Sequence, residues 1–328
     1  MTGAFGSGAV YGNGRYKTPS KEETLLTSSA AGVYVICPTP FESDGRLDMA
    51  STDRMVEAYL AAGATGLTIL GIMGEAPKLA ADESQAFVRQ VMQAVAGRVP
   101  VIVGVSAAGF AAMSALSAKA MDAGAAGVMI APPSTLRTDD QIVSYYADAV
   151  EAIGTDVPFV IQDYPLTTNV IMTPKVIMRI IEQNPSCVML KHEDWPGLDK
   201  ITILRRASDA GEVRRVSILC GNGGLFLPFE MERGADGAMT GYAYPEMLVG
   251  VVNLIKQGKR KEAHDLFDRH LPLVRYETQP GVGLAVRKYV LKKRGIIAHD
   301  TLRKPGPKLS PETVSEIDWL MQRIERSE

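Results

Sequence analysis

The sequence predicts an α/β fold, a closed (β/α)8 barrel followed by a helical domain, and three observations carry that prediction. Short apolar runs that suit strands buried on both faces recur between residues 32 and 242, separated by amphipathic helical stretches. Gly-Ala-x-Gly phrases join helix to strand in AAGATGLTIL from 61, DAGAAGVMIA from 122 and ERGADGAMTG from 232, where glycine past a helix end suits the left-handed C-cap. After residue 245 the strands stop and only helical patterns follow.

The strand candidates, in order, are GVYVICP (32–38), GLTILGI (66–72), VPVIVGVS (99–106), GVMIAPP (127–133), VPFVIQD (157–163), CVMLK (187–191), VSILCG (216–221) and GAMTGY (237–242). Helical patterns such as DMASTDRMVEAYLAAG (48–63) and ADESQAFVRQVMQAVAG (81–97) separate them. Eight such units favour closure into a TIM barrel. An open doubly wound sheet is the alternative, and no GxGxxG follows the first strand to support it. Three helical patterns near 246–270, 282–295 and 311–326 form the C-terminal part, the last preceded by the Pro-rich RKPGPKLSP. The expected organisation is a flexible N-terminal arm over 1–29, the barrel over 30–245 and a three-helix domain over 246–328.

The chain has 328 residues, 46% hydrophobic and 22% charged, enough for one large α/β domain with an appendage. With 35 basic against 37 acidic residues, nothing draws it to nucleic acid or a membrane surface, and neither is expected as a partner. The densest basic stretch, RKYVLKKRG (287–295), reads as the solvated face of a helix. Cys37, Cys187 and Cys220 lie far apart in apolar runs and read as buried thiols in a reducing compartment. Neither they nor His192, His264, His270 and His299 have metal-ligand spacing, so no metal and no cofactor are expected. The Gly/Ser-rich start lacks the apolar core of a signal peptide, and no apolar run reaches the ~18 residues of a membrane span, so a cytoplasmic protein is expected.

The stretch CVMLKHED (187–194) carries the chemistry. Lys191 ends the sixth strand, at the barrel face where active sites form. An ammonium there is costly unless it is paired, with Asp194 or Glu193 for example, or has work to do. Burial favours the neutral form of an amine, which is the form that attacks a carbonyl to make a Schiff base.

The end of the second strand, GIMGEAPKLAADE (71–83), resembles the GxxGE…L…E signature of the dihydrodipicolinate synthase/N-acetylneuraminate lyase family of class I aldolase-like barrels. PTPF (38–41), GRVPVIVGVS (97–106), APPS (131–134), VMLKHED and CGNGG…ERGADGAMTG follow the family's remaining strand ends in order, so the resemblance covers nearly the whole chain. It implies a lyase without a cofactor, a 2-oxo acid substrate such as pyruvate, an imine on Lys191 and a homotetramer built as a dimer of dimers. Gly71 and Gly74 allow backbone amides to approach the substrate carboxylate, beside Ile72 and Met73. Glu75 reads as a loop anchor rather than a base.

Departures narrow the expectation. Ile72 and Met73 replace the two hydroxyl residues of the synthases, Gln162 replaces a tyrosine of the fifth strand, and Pro133 and Ser134 replace a tyrosine pair after the fourth. The arginine that holds the synthases' aldehyde substrate falls on Thr167. The sequence therefore does not read as a true dihydrodipicolinate synthase. Its QDYP strand end and the tail LPLVRYETQPGVGLAVRKYVLKKRGIIA resemble the 2-keto-3-deoxy sugar-acid dehydratases of the family, L-2-keto-3-deoxyarabonate dehydratases in particular. A hydratase-aldolase releasing pyruvate and an apolar or aromatic aldehyde is the alternative that Ile72, Met73, Pro133 and Trp195 raise.

Strand alternation sets Gln162 with Tyr164 and Lys191 with Glu193 on the cavity side, with His192 turned away. Tyr164 is a candidate proton-transfer phenol or a packing residue, and Glu193 a general acid/base or one half of an ion pair. Gln162 orients a hydroxyl or a water, and Ser134 and Gly221 complete the expected binding residues. CGNGG (220–224) and the TG at 240–241 raise a reading of another class, a phosphate-binding barrel without a Schiff base, although neither turn contains Lys or Arg. A non-catalytic ligand-sensing relative is the third.

Overall fold

The computed structural model describes residues 25–326. Eight parallel strands close in chain order: β1 (Gly32–Ile36), β2 (Gly66–Ile69), β3 (Val101–Gly104), β4 (Gly127–Ile130), β5 (Phe159–Asp163), β6 (Cys187–His192), β7 (Ser217–Cys220) and β8 (Gly237–Thr240), with β8 pairing back onto β1. The helices around them are α1 (Met49–Ala61), α2 (Ala81–Val95), α3 (Phe110–Asp122), α4 (Asp139–Ile153), the one-turn α5 (Pro165–Thr168), α6 (Pro174–Gln183), α7 (Leu198–Asp209), α8 (Leu227–Glu232) and α9 (Pro245–Lys256). Then come α10 (Arg260–Glu277), α11 (Gly283–Lys293) and α12 (Pro311–Glu325). The predicted barrel with a C-terminal helical part is the fold observed.

The predicted helix-to-strand junctions hold: Gly63, Gly124 and Gly234 have φ of +86°, +94° and +100°, a conformation side chains disfavour. Asp48 caps α1 by accepting from the Ser51 amide at 2.8 Å, and Thr138 with Gln141 forms a capping box on α4.

Alternation along the strands sorts the core into two layers. Tyr34, Ile36, Ile102, Met129, Val160, Met189, Leu219 and Met239 pack together inside the barrel, whereas Val35, Val103, Ile161, Leu190, Ile218 and Ala238 pack outward against the helices. Continuing the alternation past the top inner layer turns Gln162, Lys191, Gly221 and Gly241 toward the mouth. Register agrees, with Gln162 opposite Lys191 and Lys191 opposite Leu219.

The structure corrects the ends of the expected organisation. Of the arm expected over 1–29, residues 1–24 lie outside the described residues, but Leu26 is no arm: it is buried against the inner barrel layer, and its amide bonds Ala126 O at 2.8 Å. The pattern near 246–270 is two helices, broken where Gly258 turns left-handed (φ +73°), so four helices follow β8 among the described residues. The first of them, α9, packs on β1 and β8 as the last outer helix of the barrel.

The basic stretch 287–295 is not a solvated face at its start. Arg287 and Lys288 on α11 are buried. Charge density alone misled here, because each cation has a buried acid, one ten residues back and the other 213. Arg287 Nε donates to Glu277, and Lys288 Nζ donates to Glu75 Oε1 at 2.7 Å while lying over the Phe41 ring. Glu75, left-handed at φ 55°, also accepts from Lys78 Nζ at 2.9 Å and from the Arg303 amide at 3.0 Å. It is the loop anchor the sequence suggested, fastening the loop after β2 to α11.

Replacing Lys288 by Met should cost about 2–4 kcal/mol, because Glu75 loses its buried partner. Lys288→Met/Glu75→Gln should recover most of that in urea unfolding; equal losses in the two variants would mean that the pair is not the source.

Candidate active site

Lys191 lies in the barrel mouth at 5% exposure, its Nζ 2.8 Å from Glu193 Oε1. The peptide continues the sheet pattern beyond β6, with the Glu193 amide on Asp163 O at 2.9 Å and the Gly221 amide on His192 O at 2.8 Å, which turns the Glu193 side chain inward beside the lysine. Gln162 Nε2 donates to the same Oε1 at 2.8 Å. Asn222 completes the cradle, its amide donating to Oε2 at 3.3 Å and its Nδ2 to the Glu193 carbonyl at 2.8 Å. Gly221 is required by space: a Cβ there would collide with Glu193 Cγ. Two opposite charges, two amide donors and a glycine wall thus fix one lysine–carboxylate pair nearly out of water, an arrangement able to pass a proton between its members.

Tyr164 caps the one-turn helix α5 and is half-buried. Burial, reinforced by the Glu193 charge, pushes its phenol up from the ordinary 10.0, while a hydrogen bond with Thr167 and the Arg287 guanidinium pull the other way. Thr167, at the position of the synthases' arginine, thus engages Tyr164.

The loop after β2 forms a 3-10 turn over Ile72–Gly74. The Gly74 amide is spent on Gly71 O at 2.9 Å and the Glu75 amide on Ile72 O at 3.1 Å, while Gly74 O accepts from Thr39 Oγ1 at 2.6 Å. Of the amides expected to face a ligand, Gly74 is therefore committed, and Ile72 and Met73 stand at the open start of the turn. Met73 packs on the inner barrel layer and Ile72 is 38% exposed. Ser134 is not brought to the pair; it is exposed on the rim, its carbonyl accepting from Arg137.

His192 and Asp194 point elsewhere, as alternation requires. Asp194 pairs with Lys200 Nζ at 2.6 Å and not with Lys191, and Asp163 takes the same ammonium at 2.8 Å behind the strand wall. His192 Nδ1 stands 3.8 Å from Asp163 Oδ2. Cys37, Cys187 and Cys220 are free and buried. Among the described residues no cluster of three or more His, Cys, Asp or Glu could hold a metal, and no helix is long and apolar enough to cross a membrane. A cavity of about 280 Å³ lined by Leu26, Tyr34 and Pro100 lies at the barrel's opposite end, away from this chemistry.

Two residues escaped the sequence reading. Asn222 was visible inside CGNGG, but glycine drew the attention. Arg287 was not findable: its Nη2 donates to Gly241 O across 46 residues, which brings a cation to the eighth-strand turn where the sequence has none. The seventh-strand turn, the other phosphate candidate, already holds an anion, the Glu193 carboxylate on the Asn222 amide.

The sequence profile of the dihydrodipicolinate synthetase family matches residues 29–324. The chain belongs to that family. Among curated relatives of this dihydrodipicolinate synthetase family member, an L-2-keto-3-deoxyarabonate dehydratase of Azospirillum brasilense is 30% identical over 92% of this chain and 97% of its own length. A 4-hydroxy-tetrahydrodipicolinate synthase of Sorangium cellulosum is 33% identical over 64% of this chain and 68% of its own. Among solved structures, a dihydrodipicolinate synthase from Rhodopseudomonas palustris is 60% identical, covering 91% of this chain and 99% of that one at a TM-score of 0.90. The chain is accordingly a lyase of the class I aldolase-like family.

Behind the site, burial pushes the Glu230 carboxyl on α8 up to about 7 from the ordinary 4.5, against the pull of His192 and a hydrogen bond with Cys220. A raised carboxyl favours the folded state fully below its unfolded value, and that contribution fades as pH rises through the folded one. Wild-type stability should therefore fall between pH 5 and 8 by about 1–3 kcal/mol more than that of Glu230→Gln. Denaturant unfolding at the two pH values checks this, and parallel curves would refute it.

Proposed function

We propose that the chain dehydrates a 2-keto-3-deoxy sugar acid through a Schiff base on Lys191. The observation that carries this reading is the Lys191–Glu193 pair, fixed inside the barrel mouth at 2.8 Å. Glu193 takes a proton from Lys191, and the free amine attacks the C2 carbonyl of the 2-oxo acid. Glu193 returns that proton to the carbinolamine hydroxyl, whose departure as water leaves an iminium that acidifies C3 and a carboxylate free to act again. A base, Glu193 or a water held by Gln162, removes the C3 proton to give the enamine. The enamine expels the C4 hydroxyl, which departs as water once protonated, and hydrolysis of the conjugated imine returns the lysine and releases the product. Tyr164 suits the acid role, since a phenol pushed above its ordinary range keeps the proton it must donate. The open amides of Ile72 and Met73 and the Gly221 wall border the substrate, while Ser134 serves at most the rim.

Support for a dehydratase comes from the 30% identity to the A. brasilense enzyme and from the departures at Ile72, Met73, Gln162 and Thr167. One feature favours a second reading. Trp195 and Phe226, 52% and 37% exposed with ring centroids 5.8 Å apart, stand after β6 and β7 and suit the apolar aldehyde of a hydratase-aldolase. Mass spectrometry separates the two, since a dehydratase product retains all the carbons and an aldolase releases pyruvate. Assembly as a homotetramer is part of the same proposal, and light scattering reads it.

Pyruvate with borohydride should add one reduced adduct on the peptide carrying Lys191, and Lys191→Ala should lose both adduct and turnover. Tyr164→Phe should lower kcat by about 10²–10⁴ while the adduct still forms, whereas Glu193→Gln should slow both. An adduct on another lysine would overturn the mechanism.

The same departures predict a negative result that the 60% identity to the R. palustris structure makes worth testing. Pyruvate with aspartate semialdehyde should yield turnover far below that with the 2-keto-3-deoxy acid. Comparable kcat/KM for the two would restore the synthase reading.

A further inference from the structure

We propose that Arg287 anchors the C1 carboxylate of the substrate, supplying from the C-terminal helices the charged donor that the loop after β2 lacks. The ligand class rests on the function proposed above; the site rests on geometry. Two nitrogens of the guanidinium are held by the protein, Nε by Glu277 and Nη2 by Gly241 O. Nη1, also buried, has no hydrogen-bond partner among the described groups. A buried donor left in this state is uncommon, because it forgoes a hydrogen bond that it had in water.

The direction of Nη1 is set by a missing side chain. Gly241 follows Met239 by two, so its Cβ would point into the mouth, and that Cβ would collide with Arg287 Nη1 while lying 3.0 Å from Ile36 O. The donor therefore sits on the inward side of the eighth-strand end, against the end of β1. The turn over Ile72–Gly74 flanks the same strand end from the other side: a Cβ on Gly74 would lie 3.5 Å from Cys37 O, the next carbonyl along. Nη1 and the turn over Ile72–Gly74 thus both lie against the end of β1. Charge there reaches the reaction centre, since the guanidinium pulls on the Tyr164 phenol. Arg287 at 3% exposure is about as covered as Lys191 at 5%. In this chain the two hydroxyl residues of the synthases are gone from the loop, and an arginine N–H is a stronger partner for a carboxylate than the hydroxyls were.

The test is calorimetric titration with pyruvate, whose only carboxylate is C1, and with methyl pyruvate, in which it is masked. Arg287→Met alone would strand Glu277, so the variant is Arg287→Met/Glu277→Gln; Gly241→Ala, which pushes the guanidinium aside while leaving α11 intact, is the second. Both should weaken pyruvate about tenfold to a hundredfold and leave methyl pyruvate unchanged. Equal weakening of both ligands, an unchanged pyruvate affinity, or wild-type protein that binds inorganic phosphate more tightly than pyruvate would overturn the proposal. Borohydride trapping reports separately on Lys191. Loss of the adduct with the calorimetric difference intact would refute the imine and spare Arg287, and the converse would refute Arg287 alone.

Discussion

The pairing of Lys191 with Glu193 is the constraint around which the rest of the mouth is arranged. An ammonium and a carboxylate, each about nine-tenths covered, are tolerable only as partners with their remaining bonding sites filled. Gln162 and Asn222 donate to the carboxylate, Gly221 gives up a side chain to make room, and the sheet pattern continues past β6 to aim the acid inward. The pair ties three strand ends into one unit, so displacing any of them moves the amine.

Most of the barrel was legible because its signals are local. Apolar runs, the Gly-Ala-x-Gly junctions and strand alternation are set by neighbours in the chain, and they located all eight strands, the inward turn of Lys191, Glu193 and Gln162, and the outward turn of His192. What was not legible depends on distant partners. Nothing within the run announces that Glu277, ten residues back, and Glu75, far back, will bury Arg287 and Lys288, so a basic run read as a wet surface. Nothing near Leu26 announces that the barrel floor will take it. Ser134, set at the mouth by family position, is exposed on the rim, its carbonyl accepting from Arg137 three residues on.

The loop after β2 shows how such long-range fastening substitutes for local chemistry. Leu70 and Glu75 both adopt left-handed backbone at φ 54° and 55°, a cost that a free loop would not sustain. Glu75 sustains it through Lys288 on α11, the Arg303 amide in the segment after α11, and Lys78 in the loop itself. The shape of this loop is therefore decided as much by α11 and the segment after it as by the barrel.

That dependence has a consequence for the order in which the molecule is made. A ribosome releases β1 to β8, with Lys191 and Glu193, well before α11 emerges. Until then Gly241 has no guanidinium against it and Glu75 lacks its lysine. A nascent or C-terminally clipped chain would carry Lys191 in an unfinished mouth, and docking of the last helices supplies the contacts that hold Gly241 and Glu75.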